Sequence, residues 1–556
     1  MGQRVLFSNT NRKERTAAAQ AQVYDLIVIG GGITGAGIAL DATLRGMKVL
    51  LVEKSDFASG TSSKSTKLIH GGLRYLKQLE FGLVRETGLE RSVAHHNAFH
   101  LVHPENMLLP LVHQGTFNKL TAGLAITVYD FLAKVPAQDR KDMLDKEEAM
   151  EMEPLLDAER VKSAIVYSEY RTDDARLTME VIKAAHREGA ELFNYMEVES
   201  FVVESRLVKG VHCQDRLSQQ KITFRGNSII NATGPWADDL RLKEDAKSET
   251  NLRLSKGVHL VFDRKDLPIN NSTYFDVFDG RMVFAIPRAN RVYVGTTDTD
   301  FNGDLDQMSC TQADVDYILT AINNFFKIPP LTIHHVQSTW AGLRPLIQQK
   351  GKSATEVSRK DEIFISTNGL ITIAGGKLTG FRKMAERVID LVYERTKKKL
   401  VPCSTEEYKI SLSPFSSYQN YLDYAEKLNE DYQGKVERQE IEYLVRTYGK
   451  EANFIIEQAT AADATQLDIA DRLAQAQLDY GIQYESIAHP MDFLDRRTGW
   501  LFFDIAQCRK YLAKAIDTIG KRLPLKEGQL EVFADASRKR IDTNSLVVLK
   551  QNNKEV

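Results

Sequence analysis

The sequence predicts an α/β (or α+β) body followed by a separate helical domain. Over residues 23–391, short β-branched runs alternate with glycine-rich turns and with stretches of helical periodicity. The charged stretch 394–400 and Pro402 then mark a boundary, and from Ser404 onward the pattern is helical and polar with few glycines. The predicted units are a polar segment over 1–20, the body over 21–400 and a C-terminal helical domain over 401–556.

Composition limits the classes of function. The 556 residues carry 73 Lys+Arg and 75 Asp+Glu, a formal net charge of -2, which disfavours a dedicated nucleic-acid binder because such proteins are strongly basic. The four cysteines lie far apart without metal-ligand spacing, as in proteins of reducing compartments. Residues 1–20 lack the apolar core of a signal peptide, and no uncharged apolar run reaches the roughly 18 residues of a membrane helix. We therefore expect a cytoplasmic protein, with peripheral contact at the inner face of the cell membrane left open.

The first strand and turn carry a dinucleotide-binding fingerprint. The apolar run 25–29 leads into the G-x-G-x-x-G motif 30–35, and a helical stretch and a second strand (48–52) precede Glu53. The glycines allow a tight turn and close approach of backbone to a pyrophosphate, which the helix N-terminus stabilises. A carboxylate about 20 residues beyond the motif accepts from ribose hydroxyls. The predicted cofactor-binding residues here are Gly30, Gly32, Ile33, Thr34, Gly35, Glu53 and Lys54. The motif alone does not separate FAD from NAD.

Two later segments favour a tightly held flavin. Residues 228–236 predict a strand that runs into a turn of small residues, and residues 371–379 predict another strand that breaks at a glycine pair before a helix. The N-terminus of that helix is suited to the edge of a flavin where negative charge develops on reduction. The predicted contacts are Ala232, Thr233, Gly234, Gly376, Lys377, Leu378 and Thr379.

These motifs carry a resemblance to a known family. The segment 24–76, which ends in KLIHGGLRYL, resembles the bacterial FAD-dependent glycerol-3-phosphate dehydrogenases of the D-amino-acid-oxidase-like flavoprotein group. NATGPWAD, SKGVHLVF, VGTTDTD, AGLRPL and AGGKLTGFRKMAE match in the same order, and DFLDRRTGWLFFD resembles the family's helical cap domain. The resemblance covers approximately residues 23–523.

The resemblance implies both an activity and an architecture. It implies oxidation of sn-glycerol 3-phosphate to dihydroxyacetone phosphate, with FAD as the hydride acceptor and a membrane quinone as the next electron acceptor. The oxidase branch of the family uses oxygen and has a longer chain with an insertion, so 556 residues favour the dehydrogenase branch. A Rossmann-like FAD-binding domain is implied, interleaved with an antiparallel-sheet substrate-binding subdomain at roughly 80–165 and 245–345. Thr61, Ser62 and Ser63 are implied cofactor contacts.

The implied substrate is a small dianion, so its site needs converging cations. Lys67, His70, Arg74 and Lys77 share one face if their stretch is helical, with a solvated basic face as the alternative. Arg344 precedes a proline, so we expect it where a strand ends, able to clamp phosphate or to stabilise negative charge on the C2 oxygen. The predicted substrate-binding residues are Arg74, Arg344, Arg359 and Lys377.

Hydride transfer from C2 requires a base for the hydroxyl proton. His70 and His259 are the candidates; we favour His70 as base or proton relay and Arg344 as the group that stabilises the alkoxide. A histidine beside apolar residues, as His259 is, more often has a packing role than a catalytic one. The predicted catalytic residues are His70, Arg344 and, as the second candidate base, His259. A second histidine group (His95, His96, His100 and His103) is interpreted as core or surface histidine, and no metal is predicted.

The region 509–526 raises the question of partners. The segment contains six basic residues and one acidic residue. It also has an apolar stripe at helical spacing, which comprises Tyr511, Leu512, Ala515, Ile516 and Ile519. This pattern is more typical of a domain helix with a solvated basic face, and an interfacial helix on an anionic membrane is the alternative. Glycerol 3-phosphate and quinone are the expected partners, nucleic acid is not, and a homodimer is left open. The alternative functions are an oxygen-using oxidase, a flavin oxidase of another small anion, and a non-catalytic flavin-scaffolded binding protein.

Overall fold

The structure is a computed structural model that describes residues 4–70, 81–113, 115, 142–248, 252–348, 361–461 and 467–553. Two β-sheets with their helices form the body, and a group of further helices follows in the C-terminal region. The strands are numbered β1–β18 in chain order. The predicted α/β body with a helical C-terminal domain is confirmed.

The first sheet has a parallel centre. Among the described residues its strands are β1 (Val23–Ile29), β2 (Val49–Val52), β7 (Glu191–Phe193), β8 (Met196–Glu204), β9 (Leu207–Asp215), β10 (Lys221–Asn231), β17 (Asp361–Ile365) and β18 (Ile371–Gly375). Their order is β17-β18-β10-β1-β2-β7, and β9 joins β10 with β8 beyond it. β1 pairs in parallel with both β2 and β10. Helices cover one face of β1, and the β8–β9 hairpin with the N-terminal helix covers the other, which is why β1 is a near-continuous apolar run.

The second sheet is mostly antiparallel. Its strands are β3 (Leu68–Ile69), β4 (Val102–Val112), β5 (Asp142–Leu144), β6 (Val161–Thr172), β11 (Leu252–Asp263), β12 (Ser272–Asp276), β13 (Met282–Arg288), β14 (Arg291–Gly295), β15 (Thr299–Asp300) and β16 (Val336–Ile347). Between β6 and β11 the chain returns to the first sheet. The two sheets are therefore interleaved along the sequence, as the resemblance implied; the division into domains stays a prediction.

The helices fall into two groups. In the body they are Arg12–Gln20, Ile33–Leu44, Phe81–Asn97, Lys146–Met152, Asp174–Arg187, Ala237–Glu244, Gln312–Phe325 and Phe381–Thr396. In the C-terminal region they are Tyr418–Asp431, Arg438–Tyr448, Ala452–Ala461, Ile469–Tyr484, Trp500–Phe503, Ile505–Arg522, Gln529–Asn544 and Val547–Asn552. Several C-terminal helices pack on the second sheet, because Leu494, Leu501 and Ala515 share one apolar cluster with Tyr293 and Trp340.

The basic helix Ile505–Arg522 packs against protein. Tyr511, Ala515 and Ile519 of its predicted apolar stripe are buried in that same cluster, and its Lys510 pairs with Asp471 at 2.7 Å. The interpretation as a domain helix with a solvated basic face is therefore the one that the structure has, and the interpretation as a membrane-facing surface is wrong. Helical periodicity cannot distinguish lipid from protein as the covering partner. Across the described ranges, each helix is too short or too polar to span a bilayer.

The turn after β1 generates a test of the fold. A Cβ on Gly35 would lie 1.9 Å from the carbonyl oxygen of Gly30, so Gly35→Ala must separate the helix Ile33–Leu44 from the strand. We expect a loss of about 3 kcal/mol, the upper range for overpacking, seen as a lower melting temperature by circular dichroism. The matched control is Gly82→Ala in the helix Phe81–Asn97, where a Cβ meets no described atom within 4 Å. Equal melting temperatures for the two variants would contradict this account of the turn.

Candidate active site

A cavity of about 1440 Å³ is lined by the ends of strands from both sheets and by the C-terminal helices. Typical small-molecule pockets have volumes of roughly 300–1,000 Å³. This cavity is therefore large enough for a dinucleotide together with a small substrate.

The nucleotide half of the cavity forms where β1 and β10 end side by side. Ile29 pairs with Asn231, so the turns that follow the two strands touch. Gly30 has a φ of 112°, and a Cβ on it would lie 2.6 Å from the carbonyl oxygen of Ala232. Only glycine combines that backbone conformation with that approach. The helix Ile33–Leu44 consequently starts at the cavity wall.

Glu53 lies at the end of β2, beside this turn. Its carboxylate accepts from the backbone N–H groups of Gly31 at 2.7 Å and Ser55 at 2.9 Å. Burial raises the pKa of Glu53, and those two N–H donors oppose the rise. Ser62 accepts from the N–H of Ile33 at 2.9 Å, which shows that the helix N-terminus binds an acceptor on this side. A helix N-terminus, a glycine turn and a buried carboxylate fit the pyrophosphate and ribose of a dinucleotide.

Most of the predicted cofactor-binding residues line the cavity. They are Gly30, Gly32, Ile33, Thr34, Glu53, Lys54, Thr61, Ser62, Ala232, Thr233, Gly234, Gly376, Lys377, Leu378 and Thr379. Two do not. Gly35 packs against the backbone of Gly30 instead, and Ser63 is buried with its carbonyl accepting from Lys67 at 3.0 Å.

Arg344 reaches the cavity from the second sheet. Its guanidinium donates to the Thr296 hydroxyl at 3.0 Å and lies 3.4 Å from the Asp298 carboxylate. The expectation that a strand ends at Arg344 is wrong, since β16 continues to Ile347 and Pro345 pairs with Leu254. β16 pairs only with β11 among the described strands, and an edge strand tolerates a proline whose missing N–H faces away from the partner.

The two candidate histidines have different surroundings. His70 lines the cavity, and its carbonyl accepts from Thr379 at 3.3 Å. His259 also lines the cavity; it is 1% exposed, stacks on Trp340 at 4.7 Å and has its Nε2 3.1 Å from the Thr66 hydroxyl. Burial, with Arg344 and Lys67 nearby, holds the pKa of His259 well below its usual range. Protonation of His259 is therefore disfavoured in these surroundings.

The predicted basic helical face around Lys67 is wrong. Lys67 has a φ of 59° and Leu68–Ile69 is strand β3, so this part of the stretch is not helical. The ammonium of Lys67 is buried against Asp174 at 2.6 Å instead of facing the cavity. Of the other predicted cations, Lys377 lines the cavity, whereas Arg74, Lys77 and Arg359 lie outside the described residues.

The histidine group over residues 95–103 packs among aromatic rings. His95 contacts Tyr170 and His103 contacts Tyr421, and burial lowers the pKa of His100 to about 4. Within the part of the chain that the structure describes, no cluster of three or more metal-binding side chains occurs.

Several cavity residues were missed from sequence. Lys64 lies directly after the predicted Thr61–Ser63 contacts, and burial, followed by the charge of Arg540, lowers its pKa to about 7. Arg496 and Arg540 also line the cavity, from the C-terminal region. Lys64 was within reach of sequence reasoning because it stands inside a recognised motif. Arg496 was within reach for the same reason, because it stands inside the recognised segment DFLDRRTGWLFFD. Arg540 lies more than 400 positions from Lys64 and carries no local signal.

Comparisons with known proteins agree with this geometry. The family model described as FAD dependent oxidoreductase (DAO) matches residues 25–382, and the model described as C-terminal domain of alpha-glycerophosphate oxidase matches residues 403–529. The chain is 45% identical over 523 residues to the aerobic glycerol-3-phosphate dehydrogenase of Bacillus subtilis (strain 168), covering 93% of this chain and 94% of that protein. It is 44% identical to the protein of the same name from Staphylococcus aureus (strain MRSA252), covering 92% and 93%.

Solved structures give the same result. The X-ray structure of the glycerol-3-phosphate dehydrogenase from Bacillus halodurans complexed with FAD has a TM-score of 0.83 at 38% identity, covering 97% of this chain and 98% of that chain. The L-alpha-glycerophosphate oxidase from Mycoplasma pneumoniae with FAD bound has a TM-score of 0.54 at 18% identity, covering 70% and 98%. The second likeness is one of fold alone.

The Lys64 amine gives a test of the electrostatics in the cavity. Because its pKa is lowered to about 7, Lys64 is mostly deprotonated and nucleophilic at pH 8, whereas an ordinary lysine with a pKa of about 10.4 is not. We expect trace acetylation, followed by peptide mass spectrometry, to show half-maximal reactivity of Lys64 near pH 7. Lys64→Met identifies the labelled peptide by its loss. A Lys64 that titrates together with the bulk of the lysines would contradict the described environment.

Proposed function

This chain belongs to the FAD-dependent oxidoreductase (DAO) family, and we propose that it oxidises sn-glycerol 3-phosphate to dihydroxyacetone phosphate. One observation carries the proposal: the dinucleotide cradle after β1 and the cations Arg344 and Lys377 line a single cavity, together with His70. The 45% identity to an aerobic glycerol-3-phosphate dehydrogenase over 93% of the chain supports this choice of substrate.

The cofactor of this proposal is FAD. The turn at Gly30–Gly32 and the N-terminus of the helix Ile33–Leu44 would hold its pyrophosphate, and Glu53 its ribose. The turn at Gly376–Thr379, before the helix Phe381–Thr396, would hold the flavin end. When bound, FAD supplies the hydride acceptor.

The substrate half of the cavity supplies charge and a base. Arg344 is oriented by Thr296 and Asp298, so its planar donors are presented to an anionic oxygen in a fixed direction. Lys377 supplies a second cation at the turn after β18. His70 accepts the proton of the C2 hydroxyl, and Arg344 stabilises the negative charge that develops on that oxygen.

We further propose that a quinone receives the electrons and that the protein works in the cytoplasm, at the inner face of the cell membrane. The relatives with high identity bear the name aerobic glycerol-3-phosphate dehydrogenase. An oxidase is named only by the family model that matches the C-terminal domain and by a solved structure with a likeness of fold alone. An oxygen-using oxidase is the alternative for the acceptor.

The proposal predicts that glycerol 3-phosphate bleaches the bound flavin without air. Under anaerobic conditions the absorbance of the oxidised flavin near 450 nm should fall within seconds to minutes of mixing. Glycerol is the matched control, because it has the same C2 alcohol and lacks the phosphate dianion that Arg344 and Lys377 are proposed to bind. Persistence of the yellow colour with glycerol 3-phosphate, with FAD bound, would exclude this substrate.

The acceptor is tested on the same bleached sample. A soluble quinone should restore the flavin absorbance much faster than air-saturated buffer does, with little hydrogen peroxide formed. Rapid reoxidation by air with one peroxide per flavin would establish the oxidase alternative instead.

Site variants test the assigned roles. Arg344→Lys keeps the charge but loses the planar fork, so we expect kcat/KM to fall by about 10²–10³-fold, as when an oxyanion donor is removed. Arg264→Lys, on an exposed turn, should leave kcat/KM unchanged.

His70→Asn should slow flavin reduction by about 10²–10⁴-fold, and the slowing should diminish at high pH, where hydroxide replaces the base. Full reduction rates in both His70→Ala and His259→Ala at neutral pH would show that neither histidine is the base.

A further inference from the structure

Asp56 is a buried carboxylate that joins the nucleotide-binding loop to the C-terminal region. It is 1% exposed and accepts from Arg496 Nε at 2.6 Å and from both terminal nitrogens of Arg497 at 2.7 and 2.9 Å. Asn194 donates to the same carboxylate at 3.2 Å. Burial alone would raise the pKa of Asp56, but Arg497 and Arg496 hold it below its ordinary value. Asp56 is therefore ionised and pairs with two arginines from the far end of the chain.

On the C-terminal side, the segment Asp492–Arg497 is fixed by the same arginines. Arg496 also donates to Asp492 at 2.7 Å and to Asp495 at 3.0 Å. Asp492 in turn accepts from the backbone N–H groups of Ala488 and His489, each at 2.9 Å. Breaking the Asp56 contact would consequently disturb a whole turn of the C-terminal region and not a single side chain.

On the nucleotide side, Asp56 is three positions after Glu53. The intervening backbone is held tightly, because Ser55 donates to the Glu53 carboxylate at 2.9 Å and Ala58 donates to the Gly31 carbonyl at 3.0 Å. Movement of Asp56 would therefore shift both the proposed ribose ligand and the glycine turn. The next side chain, Phe57, is fully buried, so it also holds this loop in place.

The C-terminal region also forms part of the cavity wall. Met491, Asp492, Arg496 and Arg540 line it, and Arg540 donates to Asp495 at 2.7 Å. The interactions that hold the C-terminal region in place thus determine the shape of the cavity in which the cofactor binds.

We propose that Asp56 is a positioning residue that couples retention of the cofactor to docking of the C-terminal region on the body. It does not touch the reacting atoms; it holds the loop of Glu53 in register with Arg496 and Arg497. The identity of the cofactor as FAD rests on the proposed function, but the coupling does not require a particular substrate.

The coupling is reciprocal. If docking of the segment Asp492–Arg497 favours bound FAD, then bound FAD must stabilise that segment by the same factor, because linked equilibria are symmetric. A carboxylate with a purely structural role would stabilise the fold without making either process depend on the other.

The first experiment measures release of FAD from the holoenzyme. In Asp56→Asn the shape is kept and the charge removed, and we expect dissociation, followed by the rise of free-flavin fluorescence on dilution, to be faster than in the wild type. The equilibrium affinity for FAD, measured over a series of dilutions, should fall about 5- to 150-fold, the usual range for coupled sites. Asp41→Asn is the matched control. Asp41 is equally buried and accepts from Arg45 at 2.7 and 3.0 Å, but it does not line the cavity. The control should lose thermal stability and release FAD at the wild-type rate.

The second experiment measures amide hydrogen exchange over residues 488–498, with the holoenzyme compared with the same protein stripped of FAD. In the wild type FAD should slow exchange in this segment, and in Asp56→Asn the slowing should be largely lost. If Asp56→Asn does not fold, Arg497→Lys keeps the charge but removes the two-point contact, and it should show the same changes to a smaller extent.

Two results would overturn the coupling. One is wild-type FAD release in Asp56→Asn despite a lower melting temperature, and the other is exchange over 488–498 that is independent of FAD. Neither measurement uses glycerol 3-phosphate. Failure of the coupling is therefore distinguishable from failure of the proposed substrate.

Discussion

The cavity depends on backbone packed directly against backbone at the end of β1. The parallel pairing of β1 with β10 brings their following turns together, and a Cβ on Gly30 or Gly35 would lie 2.6 or 1.9 Å from a carbonyl oxygen. No side chain fits there, so the helix Ile33–Leu44 can approach the sheet closely and its first N–H groups reach the cavity wall. The positions of Ser62, Glu53 and Ala232 against this turn follow from this approach.

The substrate half is aligned with this turn by a second set of interactions. Asp174 accepts from the Lys67 ammonium at 2.6 Å and from the Ser65 hydroxyl at 2.7 Å, and the indole of Trp340 donates to the Ser65 carbonyl at 3.1 Å. These contacts fix the loop that runs from the nucleotide turn to His70. Because Asp174 starts a helix of the first sheet and Trp340 belongs to the second, the loop sets the position of one sheet relative to the other.

Local patterns allowed some of this structure to be predicted and not the rest. The strands β1 and β2, the glycine turn and Glu53 follow from short-range spacing, and the structure has them together. The basic face around Lys67 was predicted wrongly because spacings of three and four residues are informative only in a helix, whereas Lys67 has a φ of 59° and precedes a strand. Its counter-ion Asp174 is distant in sequence. The residues Tyr511–Ile519 do form part of a helix, but their apolar stripe packs against protein. In both cases the surroundings of the side chains are set by residues that are distant in sequence, and a single sequence does not show which distant residues come into contact.

The net charge of the chain is close to zero, but charged side chains cluster where the body meets the C-terminal region. The buried Asp56 and Asp495 pair with the buried Arg496 and Arg497 and with the partly exposed Arg540, and buried charges are tolerated only when they are paired. An apolar contact of the same area would hold the C-terminal helices equally well but would permit small sliding movements. Charge pairs at 2.6–2.9 Å are satisfied in one register only. We therefore infer that the ionic cluster mainly fixes where the cavity wall lies and adds less to the stability of the contact between the two regions. A cofactor site built from both ends of a 556-residue chain requires the wall to have a single position.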